Sequence, residues 1–172
     1  MNNKIRIGIV GAGSNTKAKH IPGFQAIDGV EIVSVCNRSL DSSTQVAEEL
    51  KIPKVYQNWL ELVQAPDSDA IMIGTWPNLH HPVTIAALAA GKHVLCEARM
   101  ARDAAEARHM LQAATAKPHL VTQIVPAPFT LQVDQTVKRL IAEGYLGEIL
   151  AAEIQDKRGF LDKETAITWR QD

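Results

Sequence analysis

The sequence predicts an α/β fold: a doubly wound parallel sheet followed by the beginning of a second α/β domain. Three observations carry this expectation. Short β-rich runs alternate with longer helical ones. The short runs are apolar on both faces, as buried parallel strands are. A Gly-x-Gly turn closes the first run. Right-handed crossovers turn such a βαβαβ alternation into a sheet with helices on both sides.

Residues 5–10, IRIGIV, form a strand that runs into the glycine turn and a helix. A second strand spans 30–36, VEIVSVC. The helix over 39–50 places Val46, Ala47 and Leu50 on one face. KVYQ at 54–57 is a short third strand, and DAIMIGT at 69–75 a fourth. The next helix, 81–92, opens with Pro82 in its first turn and stops at Gly91. HVLCE at 93–97 is a strand, and the helix over 103–116 begins with the capping pair Asp103 and Glu106. HLVTQIV at 119–125 is the last strand of this part. Pro126 and Pro128 then remove ladder donors, so no central strand continues there. The domain boundary is set near Pro126, giving domains of 1–125 and 126–172. Beyond it a helix over 130–147 should turn Val133, Val137, Leu140 and Ile141 inward and end at Gly144. A strand is expected over 148–158.

Lys and Arg number 18 against 19 Asp and Glu, a formal charge of −1. That balance offers no field for nucleic acid or an anionic membrane. No run approaches the roughly 20 apolar residues of a membrane span, and no secretion signal is read at the start. Cys36 and Cys96 lie in separate apolar runs and are expected to be buried thiols. These features suit a cytoplasmic protein.

The glycine turn points to a dinucleotide. Gly11 permits the tight bend, and Gly13 lets a pyrophosphate approach the backbone of Gly11, Ala12, Gly13, Ser14 and Asn15. Thr16 stands where the third glycine of G-x-G-x-x-G usually allows close helix–strand contact, so a slightly displaced helix is expected. At the end of the second strand an Asp or Glu would bind the ribose of NAD. The chain has Asn37, Arg38 and Ser39 instead. Asn37 removes the charge that would repel a 2′-phosphate, Arg38 can clamp it and Ser39 can donate to it. The expected cofactor is NADP or NAD, with NADP favoured.

TWPNLHHPVTIAALAAGKHVLCEARMARDAAEA, over 75–107, together with the glycine turn and HIPGF, resembles the Gfo/Idh/MocA family of oxidoreductases. Members show a T-P-N-x-x-H turn, then A-L-x-x-G-K-H-V-x-x-E-K-P. The resemblance implies a Rossmann domain followed by an α/β domain with an open sheet. It implies hydride transfer between NAD or NADP and a sugar-like or cyclitol substrate. By resemblance Thr75, Trp76, Pro77, Asn78 and His80 lie against the cofactor, with Trp76 read as an insertion that blurs the register at Asn78. Glu97 and Ala98 fall at the nicotinamide end. The catalytic candidates are His80, Glu97 and Arg99.

The family lysine, which polarises the reacting hydroxyl, falls on Ala98, and the proline on Arg99. Alanine cannot move a proton, and arginine does not deprotonate near neutral pH. His80 and His81 could take over. No metal site is expected from His80, His81, His93 and Glu97, because neighbouring strand residues face opposite ways. Family members are about twice this length, so the rest of the second domain is expected from a partner chain, from self-association through 148–158 into a homo-oligomer, or to be missing from a truncated product. Two other readings stay open: a non-catalytic dinucleotide-binding module, and a domain for another adenine-containing ligand.

Overall fold

In a computed structural model, residues 4–126, 133–153 and 155 are described. The chain divides into two compact units, residues 1–128 and 129–172.

The first unit holds a six-stranded parallel sheet in the order β3-β2-β1-β4-β5-β6. β1 is Ile5–Val10 and β2 is Val30–Cys36, both with the expected bounds. β3 (Lys54–Val55), β4 (Ala70–Ile73), β5 (His93–Cys96) and β6 (Thr122–Ile124) are shorter than their apolar runs. β6 begins late because residues before it are used in a turn: Leu120 N donates to Lys117 O, and Val121 N to the His93 ring. The chain leaves β3 at one edge and returns beside β1 as β4. That reversal is the switch point at which open α/β sheets bind ligands, outside the carboxyl ends of the strands.

Two cores flank the sheet. Ile71, Ile73, Val83, Leu88 and Leu62 fill one side. Ile9, Ile21, Val35, Val46 and Met72 fill the other. Gly8 lets helix α3 (Trp59–Gln64) close on β1, since a Cβ there would meet Leu62 at 2.8 Å. The sequence reading did not anticipate α3, although Asn58 caps it by accepting from Leu60 N at 2.7 Å. Helix α2 (Leu40–Leu50) is capped by Ser39, and α5 (Ala104–Thr115) by Asp103, which accepts from Ala105 N and Glu106 N.

Helix α4 corrects an expectation. It spans Pro77–Ala89, so Pro82 lies inside it rather than in its first turn. Pro77 takes the first helical position, where its fixed φ fits and no N–H is needed. Pro82 then brings no N–H to the carbonyl of Asn78 one turn earlier.

In the second unit, helix α6 (Asp134–Ala142) is followed by turns at Gly144 and Gly147, both with positive φ. Val133, Val137 and Ile141 are exposed rather than turned into a core. Residues 148–153 form no strand, contrary to the pattern reading. An isolated strand would leave both edges unpaired, and the described residues supply no partner. The rest of that expected strand lies outside the described residues, apart from Gln155. Among the described residues no helix is long and apolar enough to cross a membrane.

Candidate functional site

At the switch point β1 ends in Gly11, whose φ of +88° suits glycine alone. A Cβ on Gly11 would lie 2.7 Å from Thr75 N and 2.8 Å from Gly74 C, so the turn rests directly on the loop after β4. Gly11 N donates to Cys36 O at 2.8 Å, and Ala12 N to Asn37 Oδ1 at 2.7 Å. Two of the turn's amides are therefore spent on β2. Gly13, Ser14 and Asn15 are exposed, and a Cβ on Gly13 would meet nothing within 4 Å. This bare backbone fits a pyrophosphate: open amides and a starting helix favour an anion.

Thr16 is buried, and the turn Thr16–His20 that leads into α1 (Ile21–Gln25) is π-helical. A Cβ on Gly74 would come within 2.1 Å of Thr16 Oγ1. Close helix–strand contact is kept because the small residue has moved to position 74.

The end of β2 forms the second wall. Asn37 is turned inward: it accepts from Ala12 N and donates to Ser42 O at 3.1 Å. Ser39 Oγ accepts from Ser42 N at 3.3 Å, which leaves its own hydroxyl proton free to donate. Arg38 is exposed and has no hydrogen-bond or ion-pair partner among the described residues. A cleft of about 810 Å³ runs from the glycine turn past Arg38 and Trp59 to Trp76 and Asn78.

The third wall is the loop after β4. Trp76, 55% exposed, precedes α4, and Pro77 begins it. Thr75 and His80 are five residues apart, the spacing of T-P-N-x-x-H, so Trp76 and Pro77 replace residues of that motif rather than displace it. His80 is 1% exposed. Its Nδ1 lies 2.6 Å from Arg99 O and its Nε2 2.9 Å from Thr75 O. The ring thus bridges the loops after β4 and β5.

Glu97 follows β5 and is held from three sides. Asn15 Nδ2 donates to Oε1 in a short contact, His20 Nε2 lies 2.5 Å from the same oxygen, and Oε2 accepts from Ala98 N at 3.1 Å. Ala98 and Arg99 are exposed, and the peptide between them is cis. His20 was not among the residues the sequence singled out for the site, although it lies in the HIPGF segment. His81 sits apart, its Nε2 2.8 Å from His109 Nδ1. Both cysteines are free and buried, and burial pushes the Cys36 thiol up to about 11 and that of Cys96 to about 12. Neither is a ready nucleophile. Among the described residues no group of three or more His, Cys, Asp or Glu is gathered to hold a metal.

Comparison with known proteins gives this geometry its context. The family model for Gfo/Idh/MocA, described as an oxidoreductase family with an NAD-binding Rossmann fold, matches residues 5–124. A 1,5-anhydro-D-fructose reductase of Ensifer adhaerens is 34% identical over 149 residues, 87% of this chain and 44% of that protein. An inositol 2-dehydrogenase of Pseudomonas savastanoi is 30% identical over 150 residues, 85% of this chain and 44% of that protein. The structure of scyllo-inositol dehydrogenase from Lactobacillus casei, with bound NAD(H) and scyllo-inositol, superposes with a TM-score of 0.72 at 25% identity, covering 84% and 43% of the two chains. A single-substitution variant of a 3-ketoreductase from Actinomadura kijaniata, in complex with TDP-benzene and NADP, gives a TM-score of 0.72 at 26% identity, covering 86% and 46%. The chain spans about half the length of the curated relatives it matches. Sheet order, glycine turn and family model agree from β1 to β6, and the chain belongs to the Gfo/Idh/MocA family of NAD(P)-binding oxidoreductases.

Proposed function

We propose that this chain is the cofactor-holding part of an NADP-dependent oxidoreductase. Its reaction class is hydride transfer between nicotinamide and a hydroxyl or carbonyl carbon of a sugar- or cyclitol-like molecule. The observation that carries the reading is the open backbone at Gly13, Ser14 and Asn15, continuous with a cleft that runs past Arg38. The three amides hold the pyrophosphate. Arg38 and the Ser39 hydroxyl hold a 2′-phosphate, and Thr75 through Asn78 form the wall along the cofactor. When bound, the nicotinamide supplies the two-electron hydride acceptor or donor.

The nicotinamide end belongs to Glu97, Ala98 and Arg99. Arg99 is an anchor for substrate oxygens. His80 is a positioning residue: with both ring nitrogens at backbone carbonyls it fixes the loops that carry Thr75 and Arg99. Residues 126–172 begin the substrate domain, completed by further chain, by a partner or by a second copy. A cytoplasmic location suits a pyridine nucleotide and two reduced thiols. The inositol dehydrogenase and the anhydrofructose reductase among the relatives support the substrate class. A second reading, a non-catalytic dinucleotide-binding module, is favoured by Ala98, which brings no proton-transferring group.

Calorimetric titration with NADPH and NADH tests the cofactor assignment. NADPH should bind more tightly, and Arg38→Ala should lower its affinity about 10- to 100-fold, the worth of a charged hydrogen bond. Tighter NADH binding, or no loss in the variant, overturns the NADP assignment. Oxidation of NADPH with keto forms of sugars and cyclitols separates enzyme from binding module.

A further inference from the structure

Glu97 ties the end of β5 to the first helical turn, and the tie fixes a histidine. His20 Nε2 lies 2.5 Å from Glu97 Oε1, and both side chains are 16% exposed. An ionised carboxylate only accepts, so Nε2 carries the proton of this hydrogen bond. In the neutral ring the lone pair then falls on Nδ1. The described residues give Nδ1 no hydrogen bond. Phe24 stacks against the ring with centroids 6.4 Å apart and planes 29° apart, which limits its rotation. A carboxylate that orients an imidazole and leaves its other nitrogen bare is the arrangement of a general base with its orienter. The residue after Glu97 is Ala98, with no side chain to move a proton. The other candidates are committed: both nitrogens of His80 face carbonyls, and Arg99 keeps its charge.

We propose that His20, oriented by Glu97, is the acid–base residue of this chain. The proposal rests on the oxidoreductase reading above. In the oxidising direction the substrate O–H breaks and its proton passes to His20 Nδ1. The carbon loses its C–H pair as hydride to the nicotinamide, and the carbon–oxygen bond becomes double. In the reducing direction Nδ1 returns the proton to the forming alkoxide. Glu97 keeps the second proton on Nε2 and opposes the charge of the imidazolium, while Asn15 and Ala98 N hold the carboxylate in place.

The test uses the 172-residue chain with NADP+ and myo-inositol or scyllo-inositol in the oxidising direction, and with NADPH and 1,5-anhydro-D-fructose in the reducing direction. Ring nitrogen NMR should show His20 protonated at Nε2 and bare at Nδ1, and Glu97→Gln should give a mixture of the two tautomers. His20→Ala should lower kcat about 100-fold, the usual worth of a general base, with less than about a twofold change in the NADPH dissociation constant. Added imidazole should restore part of the rate, which a structural role does not predict. A proton on Nδ1, an unchanged rate in His20→Ala, or loss of NADPH binding with no rescue overturns the dyad and leaves the oxidoreductase reading standing. NADPH that does not bind overturns that reading and the dyad with it.

Discussion

The two ends of the parallel sheet are built on opposite principles. At the carboxyl end, backbone is left open and side chains hold loops in place. Gly11 and Gly13 carry no side chain, Asn37 restrains the glycine turn, and His80 bridges two loops. At the amino end, charges satisfy one another. Arg6 meets Asp69 with Nε at 3.0 Å and Nη2 at 2.7 Å, and its own amide adds a third bond at 2.9 Å. Lys54 Nζ and Tyr56 OH converge on Asp67 Oδ2 at 2.8 and 2.6 Å. Lys92 is buried with Nζ on the carbonyls of Ala65 and Ser68. One end is shaped to receive a ligand and the other to hold strands together. Substitutions at the first should show in binding, and at the second only in stability.

The sharpest break comes from Gly11→Ala. The new Cβ would meet Thr75 N and Gly74 C inside 3 Å, at a φ that side chains rarely adopt. Backbone cannot move aside as a flexible side chain can, so strain and overpacking add to about 3 kcal/mol. NADPH affinity should fall on the order of 100-fold, because the amides that follow are displaced. Denaturant unfolding and calorimetry read the two effects. Unchanged NADPH affinity would dissolve the contrast between the ends.

Next is Lys92→Met, at the other end. It keeps the aliphatic stem and removes the donors to Ala65 O and Ser68 O. The buried Ser68 carbonyl and the half-buried Ala65 carbonyl, left without these donors, cost about 2 kcal/mol. NADPH binding should not change, since the cleft beside the glycine turn lies at the other end of the sheet. A stable variant with weakened NADPH binding would show that the two ends are coupled.

The sequence made some of this contrast legible and hid the rest for physical reasons. β1 and β2 could be bounded to the residue because dense β-branched runs stop at glycine and at Asn37. The start of α4 was misplaced because two prolines, Pro77 and Pro82, both satisfy the rule for a first helical position, and only packing selects between them. The glycine turn could be read from local spacing, since one stretch of chain forms it. The inward turn of Asn37 could not, because its partner Ala12 is 25 residues away. His20 and Glu97 are 77 residues apart, and no periodicity joins them. Their pairing follows from the sheet order that sets β1 and β5 on either side of β4.

The smallest expected effect also discriminates best within the amino end. The Asp69 carboxyl is held below its usual range, chiefly by the hydrogen bonds from Arg6. The folded chain therefore releases this proton at lower pH than the unfolded chain does. The resulting stability is fully present above the unfolded value, about 3.9, and is lost as pH falls through the folded one. The side chains of Arg6 and Asp69 are 40% and 38% exposed, so solvent screening holds the contribution below about 1 kcal/mol. Asp69→Asn should lower the urea midpoint at pH 5 and converge on the parent protein as both approach pH 3. Parallel midpoints across that range would mean that Asp69 acts through geometry and not through its charge. NADPH affinity at pH 7 should be the same in both, and a difference there would place Asp69 in communication with the glycine turn through β1.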